Sequence, residues 1–129
     1  MKVRQISIFL ENKPGQLAEI CRALAKADVN IAALSLADTT DFGIVRLIAD
    51  DHEKACEALT KAGFAARQTE VVMVTVPDSP GGMADFMAKL DEAGINIEYS
   101  YAYGFGRGEK AILIFRFSDN ARAEEIIGA

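Results

Sequence analysis

The chain repeats itself. Displaced by 66 positions, Asn12-Lys13-Pro14-Gly15-Gln16-Leu17 lies over Asp78-Ser79-Pro80-Gly81-Gly82-Met83, and the register holds without a gap. Identities at Pro14/Pro80, Gly15/Gly81, Ala18/Ala84, Leu24/Leu90, Ala27/Ala93, Asn30/Asn96 and Ile31/Ile97 fall within one twenty-residue window. Unrelated sequences of ordinary composition would match there at about one or two positions. A unit that occurs twice in 129 residues is small, so its elements must be few, short and connected by tight turns.

Each copy reads in the same order. An apolar β run, Val3 to Phe9 or Val71 to Val76, meets an Asx-x-Pro-Gly turn that opens a helix. Leu17, Ile20, Cys21 and Leu24 recur at i, i+3, i+4, i+7, as do Met83, Phe86, Met87 and Leu90, the one-sided stripe of a helix packed on a sheet. A strand follows from Asn30 or Asn96, then a turn (Asp38 to Asp41; Gly104 to Glu109), then a second strand, Gly43 to Ala49 or Lys110 to Phe117. The second turn is two residues longer, so the displacement becomes 68, with Asp51 over Asp119 and Ala55 over Ala123 at the start of a second helix. In the first copy Gly63 stops this helix and Phe64 to Thr69 supplies a fourth strand; in the second the chain reaches Ala129 first.

The expected fold is therefore α+β: two ferredoxin-like βαββαβ units, 1–69 and 70–129, each an antiparallel sheet with helices on one face, the second lacking its last strand. An uncovered sheet edge is a template for pairing, so that edge is expected to be taken by a partner subunit or by the other copy. The run Phe64 to Val76 contains no Gly or Pro and suits a single strand serving both halves without a flexible linker.

Charge narrows the function classes. A net charge of −5 and pI near 4.9 oppose a phosphate-backbone partner, whose affinity rests on clustered Lys and Arg, so nucleic acid and membrane are not expected as partners. The N-terminal stretch lacks a signal-peptide core and no apolar run is long enough to span a bilayer, which suits a cytoplasmic protein. Cys21 and Cys56 sit far apart in helical patterns and read as partly buried thiols.

With Asn-x-Pro-Gly-x-Leu at the first turn and Val-Asn-Ile opening the second strand, and both features recurring, the chain resembles the ACT domains, small-molecule-sensing modules of amino-acid metabolism, and is similar to small proteins made of two of them in tandem. The resemblance implies a non-enzymatic regulatory module. A free amino acid would bind at the interface between units, where the first turn of one meets the second strand of its neighbour. It would act through oligomerisation, as a homodimer joined through sheet edges, or through a partner enzyme of amino-acid metabolism. The site residues implied are Leu10, Asn12, Pro14, Gly15, Gln16, Leu17, Asn30 and Ile31, with Asp78, Gly81, Gly82, Met83, Asn96 and Ile97 in the second copy. Where serine-sensing members carry a histidine two residues before the turn Asn, this chain has Leu10, which argues against serine.

The residues themselves fit that chemistry. Gly15 permits a left-handed or closely approached backbone, and the N–H groups of Gln16, Leu17 and Ala18 at a helix start favour a carboxylate. The amides of Asn12 and Asn30 can accept from an ammonium and donate to a carboxylate. Plainer roles compete: Asn12 and Asp78 as helix caps, Asn30 and Asn96 as turn residues with positive φ. Asp78 would repel a carboxylate, so the copies are expected to differ in occupancy. An alternative is a regulatory or structural small subunit with no ligand of its own, as in regulatory subunits of acetolactate synthase.

Other features point to packing. Tyr99, Tyr101 and Tyr103 alternate on one strand face where the first copy has Ala33, Ser35 and Ala37, and burial against another sheet or subunit is expected rather than base stacking. Gly104-Phe105-Gly106-Arg107-Gly108 leads into a strand and reads as a hairpin turn. His52 reads as a solvated residue near a helix start. No catalytic set, metal ligand group or cofactor cradle is expected.

Overall fold

The computed structural model describes residues 1–38, 41–103 and 110–128. Ten elements follow in order: β1 Lys2–Glu11, α1 Gln16–Lys26, β2 Ile31–Asp38, β3 Phe42–Ala49, α2 His52–Lys61, β4 Ala65–Pro77, α3 Gly82–Glu92, β5 Ile97–Ala102, β6 Lys110–Phe117 and α4 Asn120–Gly128. This is the expected α+β arrangement of two ferredoxin-like units. The backbone divides into an N-terminal unit, Arg4–Thr69, and a C-terminal unit, Met1–Val3 with Glu70–Ala129. As the run without Gly or Pro suggests, β4 is one strand of 13 residues, and it passes from the first unit into the second at residues 69–70.

In the N-terminal unit the sheet order is β2-β3-β1 followed by the first part of β4. The strands are antiparallel, with Ile6 opposite Leu47 and Leu10 opposite Gly43 between β1 and β3, and Leu34 opposite Leu47 between β2 and β3. Alternation puts Ile6, Ile8 and Leu10 on one face, where they pack with Val45, Leu47, Ile20, Leu24, Ala55 and Leu59 in one aliphatic core. Asp51 caps α2, its carboxylate accepting from Lys54 N–H at 3.1 Å. Cys21 does not follow its helical stripe into the core and is exposed, because Ile20 and Leu24 are the α1 residues that are buried.

The C-terminal unit repeats the plan with larger side chains. Val72, Val74 and Val76 of β4 pack with Phe86, Leu90, Phe115, Phe117 and Ala123. Phe86 and Phe115 lie with ring centroids 5.2 Å apart, and Phe115 stacks on Phe117 at the same spacing, distances at which aromatic pairs contribute beyond their buried area. Tyr99 and Tyr101 are half-buried on the β5 face that bears Arg116 and Ile114. The glycine-rich segment 104–108 lies outside the described residues. The place beside β4 where a last strand is missing holds the beginning of the chain: Met73 N–H donates to Met1 O at 2.8 Å, and the Met1 ammonium donates to Met73 O at 3.1 Å.

The two copies differ at one helix start. A Cβ added to buried Gly82 falls 2.1 Å from the backbone oxygen of Pro77, so α3 sits against the end of its strand at a distance only glycine allows. Gln16 holds the equivalent position in the first copy, with a Cβ. Gly82→Ala is expected to destabilise the protein by about 1–3 kcal/mol in urea unfolding, whereas Gln16→Ala should change it by less than about 0.5 kcal/mol.

Candidate functional site

Both helix-opening turns are built on a left-handed glycine. Gly15 and Gly81 share φ 88 and ψ −12, each is the N-cap of its helix, and neither helix has a side-chain cap. Asn12 and Asp78 are therefore not the caps of α1 and α3; they stand three residues upstream. In α1 the first intrahelical bond runs from Glu19 N–H to Gly15 O at 3.0 Å, so the N–H groups of Gln16, Leu17 and Ala18 precede the ladder at the positive end of the helix dipole. Nothing lies within 4 Å of a Cβ placed on Gly15. Its glycine is thus demanded by the backbone angle before any question of ligand approach arises.

Asn30 and Asn96 are not the positive-φ residues either. Asp28 (φ 59) and Gly94 (φ 69) take that conformation, and the asparagines fasten their strands instead. Asn30 N–H donates to Asp50 Oδ1 at 3.0 Å while Asp50 N–H donates to Asn30 O at 3.1 Å. Asn96 N–H donates to Ser118 Oγ at 3.1 Å and Ser118 N–H to Asn96 O at 2.9 Å. Both asparagine side chains are exposed.

The N-terminal unit holds a cavity of about 310 Å³ at its turn, lined by Leu10, Glu11, Asn12, Lys13, Leu17, Leu36 and Gly43. Three of the expected site residues, Leu10, Asn12 and Leu17, meet there. Pro14 and Gly15 are exposed beside it in the turn. Asn12 N–H donates to Asp41 O at 2.9 Å, which ties the turn to the start of β3. Lys13 Nζ lies 3.3 Å from Glu11 Oε2, both exposed. The residues that line it thus bring an ammonium, a carboxylate, an amide and three leucines. Asn30 and Ile31 are not part of it. They begin β2, whose other end, Asp38, pairs with Gly43, so the length of an eight-residue strand, roughly 25 Å, separates them from the turn.

In the C-terminal unit the corresponding positions are spread. Gly82 lines a cavity of about 240 Å³ with Pro77, Asp85, Phe86 and Lys89. Asn96 and Ile97 border an open depression of about 440 Å³ with Leu90 and Ile95. Asp78, Gly81 and Met83 are exposed. Glu11, Lys13 and Gly43 of the first copy are replaced by Pro77, Ser79 and Ala111, which removes the charge pair and adds a methyl group at the β6 position opposite Val76. Glu11, Lys13, Leu36 and Gly43 were not among the site residues expected from sequence. Glu11 precedes the turn motif and Lys13 is its variable residue, so both were within reach of it, whereas Leu36 and Gly43 emerge only from the β2–β3 register.

His52 differs from its expected solvated state. It is 9% exposed, with Nε2 3.0 Å from Gln68 Oε1 and 3.6 Å from Cys56 Sγ. Burial, reinforced by the Glu53 carboxylate and partly offset by Arg4, pushes the Cys56 thiol up. The Glu53 carboxyl is held below the usual range, chiefly by its hydrogen bond from Arg4. Among the described residues no group of three His, Cys, Asp or Glu side chains could hold a metal ion, and no helix is long and apolar enough to cross a membrane.

Gly15→Val forces a β-branched residue to φ 88. It is expected to cost about 2 kcal/mol or more in urea unfolding. Gly43→Ala is expected to cost nothing, because its Cβ meets Ala37 O, Leu36 and Leu10 at 3.5 to 3.8 Å, ordinary contact distances.

The chain superimposes on the crystal structure of protein BT0572 from Bacteroides thetaiotaomicron with a TM-score of 0.93 and 39% identity, over 99% of this chain and 88% of that one. It resembles in fold the regulatory subunit of aspartate kinase from Thermus thermophilus, with a TM-score of 0.68, 17% identity and coverage of 97% and 90%. The corresponding subunit from Thermus flavus gives a TM-score of 0.62, 17% identity and coverage of 99% and 94%. A search of curated proteins finds no match. The family model for an ACT domain pair matches residues 1–129, and the chain belongs to that family.

Proposed function

We propose that this protein is a non-enzymatic sensor that binds a free amino acid at the turn of its N-terminal unit. The observation that carries the reading is the cavity lined by Glu11, Asn12 and Lys13 together with Leu10, Leu17 and Leu36. A zwitterion presents both charges at one end. Its ammonium would meet Glu11 and its carboxylate Lys13 and the helix N-terminus, each a charge-assisted contact. The three leucines favour an apolar side chain over a serine-like one. The C-terminal unit, with Ser79 and Pro77 in place of the charge pair, binds weakly or not at all.

The site is completed by a second copy of the chain. Asn12 and Asn30 lie at opposite ends of one unit, so a ligand that touches both must bridge two. The β2 edge next to the cavity carries Leu34 and Leu36, 37% and 50% exposed, and an apolar unpaired edge is a pairing surface. Ligand that bridges such an edge stabilises the dimer, and a partner enzyme of amino-acid metabolism reads the change. The likeness in fold to regulatory subunits of aspartate kinase supports a regulatory role of this kind.

Thermal unfolding against the twenty amino acids near millimolar concentration tests the reading. A ligand at about 100-fold over its Kd adds ~2.7 kcal/mol, a rise in midpoint of about 8–13 °C for a chain of this size. The expected result is one selective rise, for an aliphatic amino acid, with a shift in mass toward the dimer. Lys13→Ala and Asn12→Ala should each weaken binding by about 1–3 kcal/mol, and Gly43→Ala should weaken it with stability unchanged. A flat panel from a folded dimer would overturn the sensor reading and favour a small subunit without a ligand of its own.

A further inference from the structure

Neither backbone nor packing requires glycine at Gly43. Its φ is not positive, and the ladders run through it without a break: Leu10 faces it from β1 and Asp38 from β2, and Ile44 is next in both registers. A Cβ placed there meets Ala37 O at 3.5 Å, Leu36 Cδ1 at 3.6 Å and Leu10 Cγ at 3.8 Å, all ordinary contacts. Gly15 is different, being held by its angle, and so is Gly82, which the Pro77 oxygen crowds. A glycine inside a strand weakens it, and away from bulges and sharp bends it marks a place where something comes close to the backbone. Among the described residues, no protein atom comes closer to that missing side chain than van der Waals contact.

The space belongs to the cavity at the turn. Leu10 lies opposite Gly43, and Leu36 lies opposite Val45, two residues further along β3. Alternation therefore sends a side chain at 43 to the face that carries Leu10, Leu36 and Val45. Leu10, Leu36 and Leu17 of α1 line the same cavity of about 310 Å³ as Gly43. That volume stands at the low end of small-molecule cavities, roughly 300–1,000 Å³, where the loss of a methyl-sized space is felt. In the C-terminal unit the position is Ala111, which packs against the core of that unit and does not line its cavity of about 240 Å³.

We infer that Gly43 determines side-chain size at the amino-acid site, and that the ligand is a branched aliphatic amino acid as large as leucine, its terminal methyl groups resting on the bare β3 backbone beside Leu10 and Leu36. The inference rests on the reading of this cavity as an amino-acid site. The ammonium and carboxylate are common to all amino acids, so Glu11, Lys13 and the helix start hold every candidate alike. Discrimination falls to the far end of the side chain, where an apolar pocket separates ligands that differ by one methylene by about 10- to 200-fold. A methyl group at 43 takes the room of the last ligand carbons and leaves the charged end untouched.

Titration calorimetry of alanine, valine and leucine into the wild type, Gly43→Ala and Gly43→Val tests it, with urea unfolding of each protein to establish that it is folded. Gly43→Ala, whose Cβ meets only ordinary contacts, carries the test if valine is not tolerated. In the wild type, affinity should rise from alanine to leucine by roughly tenfold or more. In Gly43→Ala, leucine should bind roughly tenfold or more weakly while alanine binds as it does to the wild type, and Gly43→Val should move the preference further toward alanine. A glycine with a merely structural role would weaken all three ligands in equal proportion. The two ways of failing are distinct. If none of the twenty amino acids binds the wild type, the sensor reading falls and this inference falls with it. If the wild type binds an amino acid but does not prefer leucine to alanine, or if folded Gly43 variants keep the leucine preference or lose all three ligands equally, the site stands and the role of Gly43 is overturned.

Discussion

The left-handed glycine at the end of the first strand is the constraint on which each unit turns. At φ 88 it reverses the chain from strand to helix within four residues and leaves the helix start without a side-chain cap. An ordinary N-cap would spend an Asn or Asp oxygen on the first-turn N–H groups. Here no capping side chain takes them, although in the second turn Gly82 N–H donates to Ser79 O at 3.0 Å. Because the same angle recurs at Gly15 and Gly81, the turn backbone survived duplication while the residues around it diverged.

That divergence decides what each turn can do. In the first copy the strand runs out through Glu11 to Asn12 and Lys13, the β3 position facing it is Gly43, and a cavity remains between charge and leucine. In the second, Pro77 ends the strand, Gly82 lets α3 close to a distance no Cβ tolerates, and Ala111 replaces Gly43. The cavity of the first copy holds about 310 Å³ and that of the second about 240 Å³, the second without the Glu11–Lys13 pair. The exchange of Ile20 and Leu47 for Phe86 and Phe115 fills the C-terminal core with larger side chains.

Much of the architecture was legible in the sequence because it depends on local signals. The capping Asp51, the stop at Gly63 and the uninterrupted run from Phe64 to Val76 each act over a few residues, and the elements follow them. The candidate site was legible only in part. Asn12 in an Asn-x-Pro-Gly string can be read as a cap or as a turn residue, and only the backbone angles assign the cap to Gly15. Positive φ suits Asn30 and Asn96 by residue type yet falls two residues earlier, at Asp28 and Gly94, where the helix ends. Leu36 and Gly43 belong to the cavity through strand register, and His52 is buried through Gln68, sixteen residues away. These are tertiary facts, and no local pattern carries them.

A sensor needs two states that its ligand tells apart, since a ligand with equal affinity for both shifts nothing. A rigid cavity inside one unit supplies affinity but no such difference. Discrimination arises when part of the site belongs to another molecule, because the ligand is then fully bound only in the assembled state. The separation of Asn12 from Asn30 by the length of β2, and the half-exposed leucines along that edge, have this logic. In the function we propose, the residues suited to a zwitterion are distributed so that one unit cannot use them all, and reciprocity would then require that association raise ligand affinity by the factor that ligand raises association.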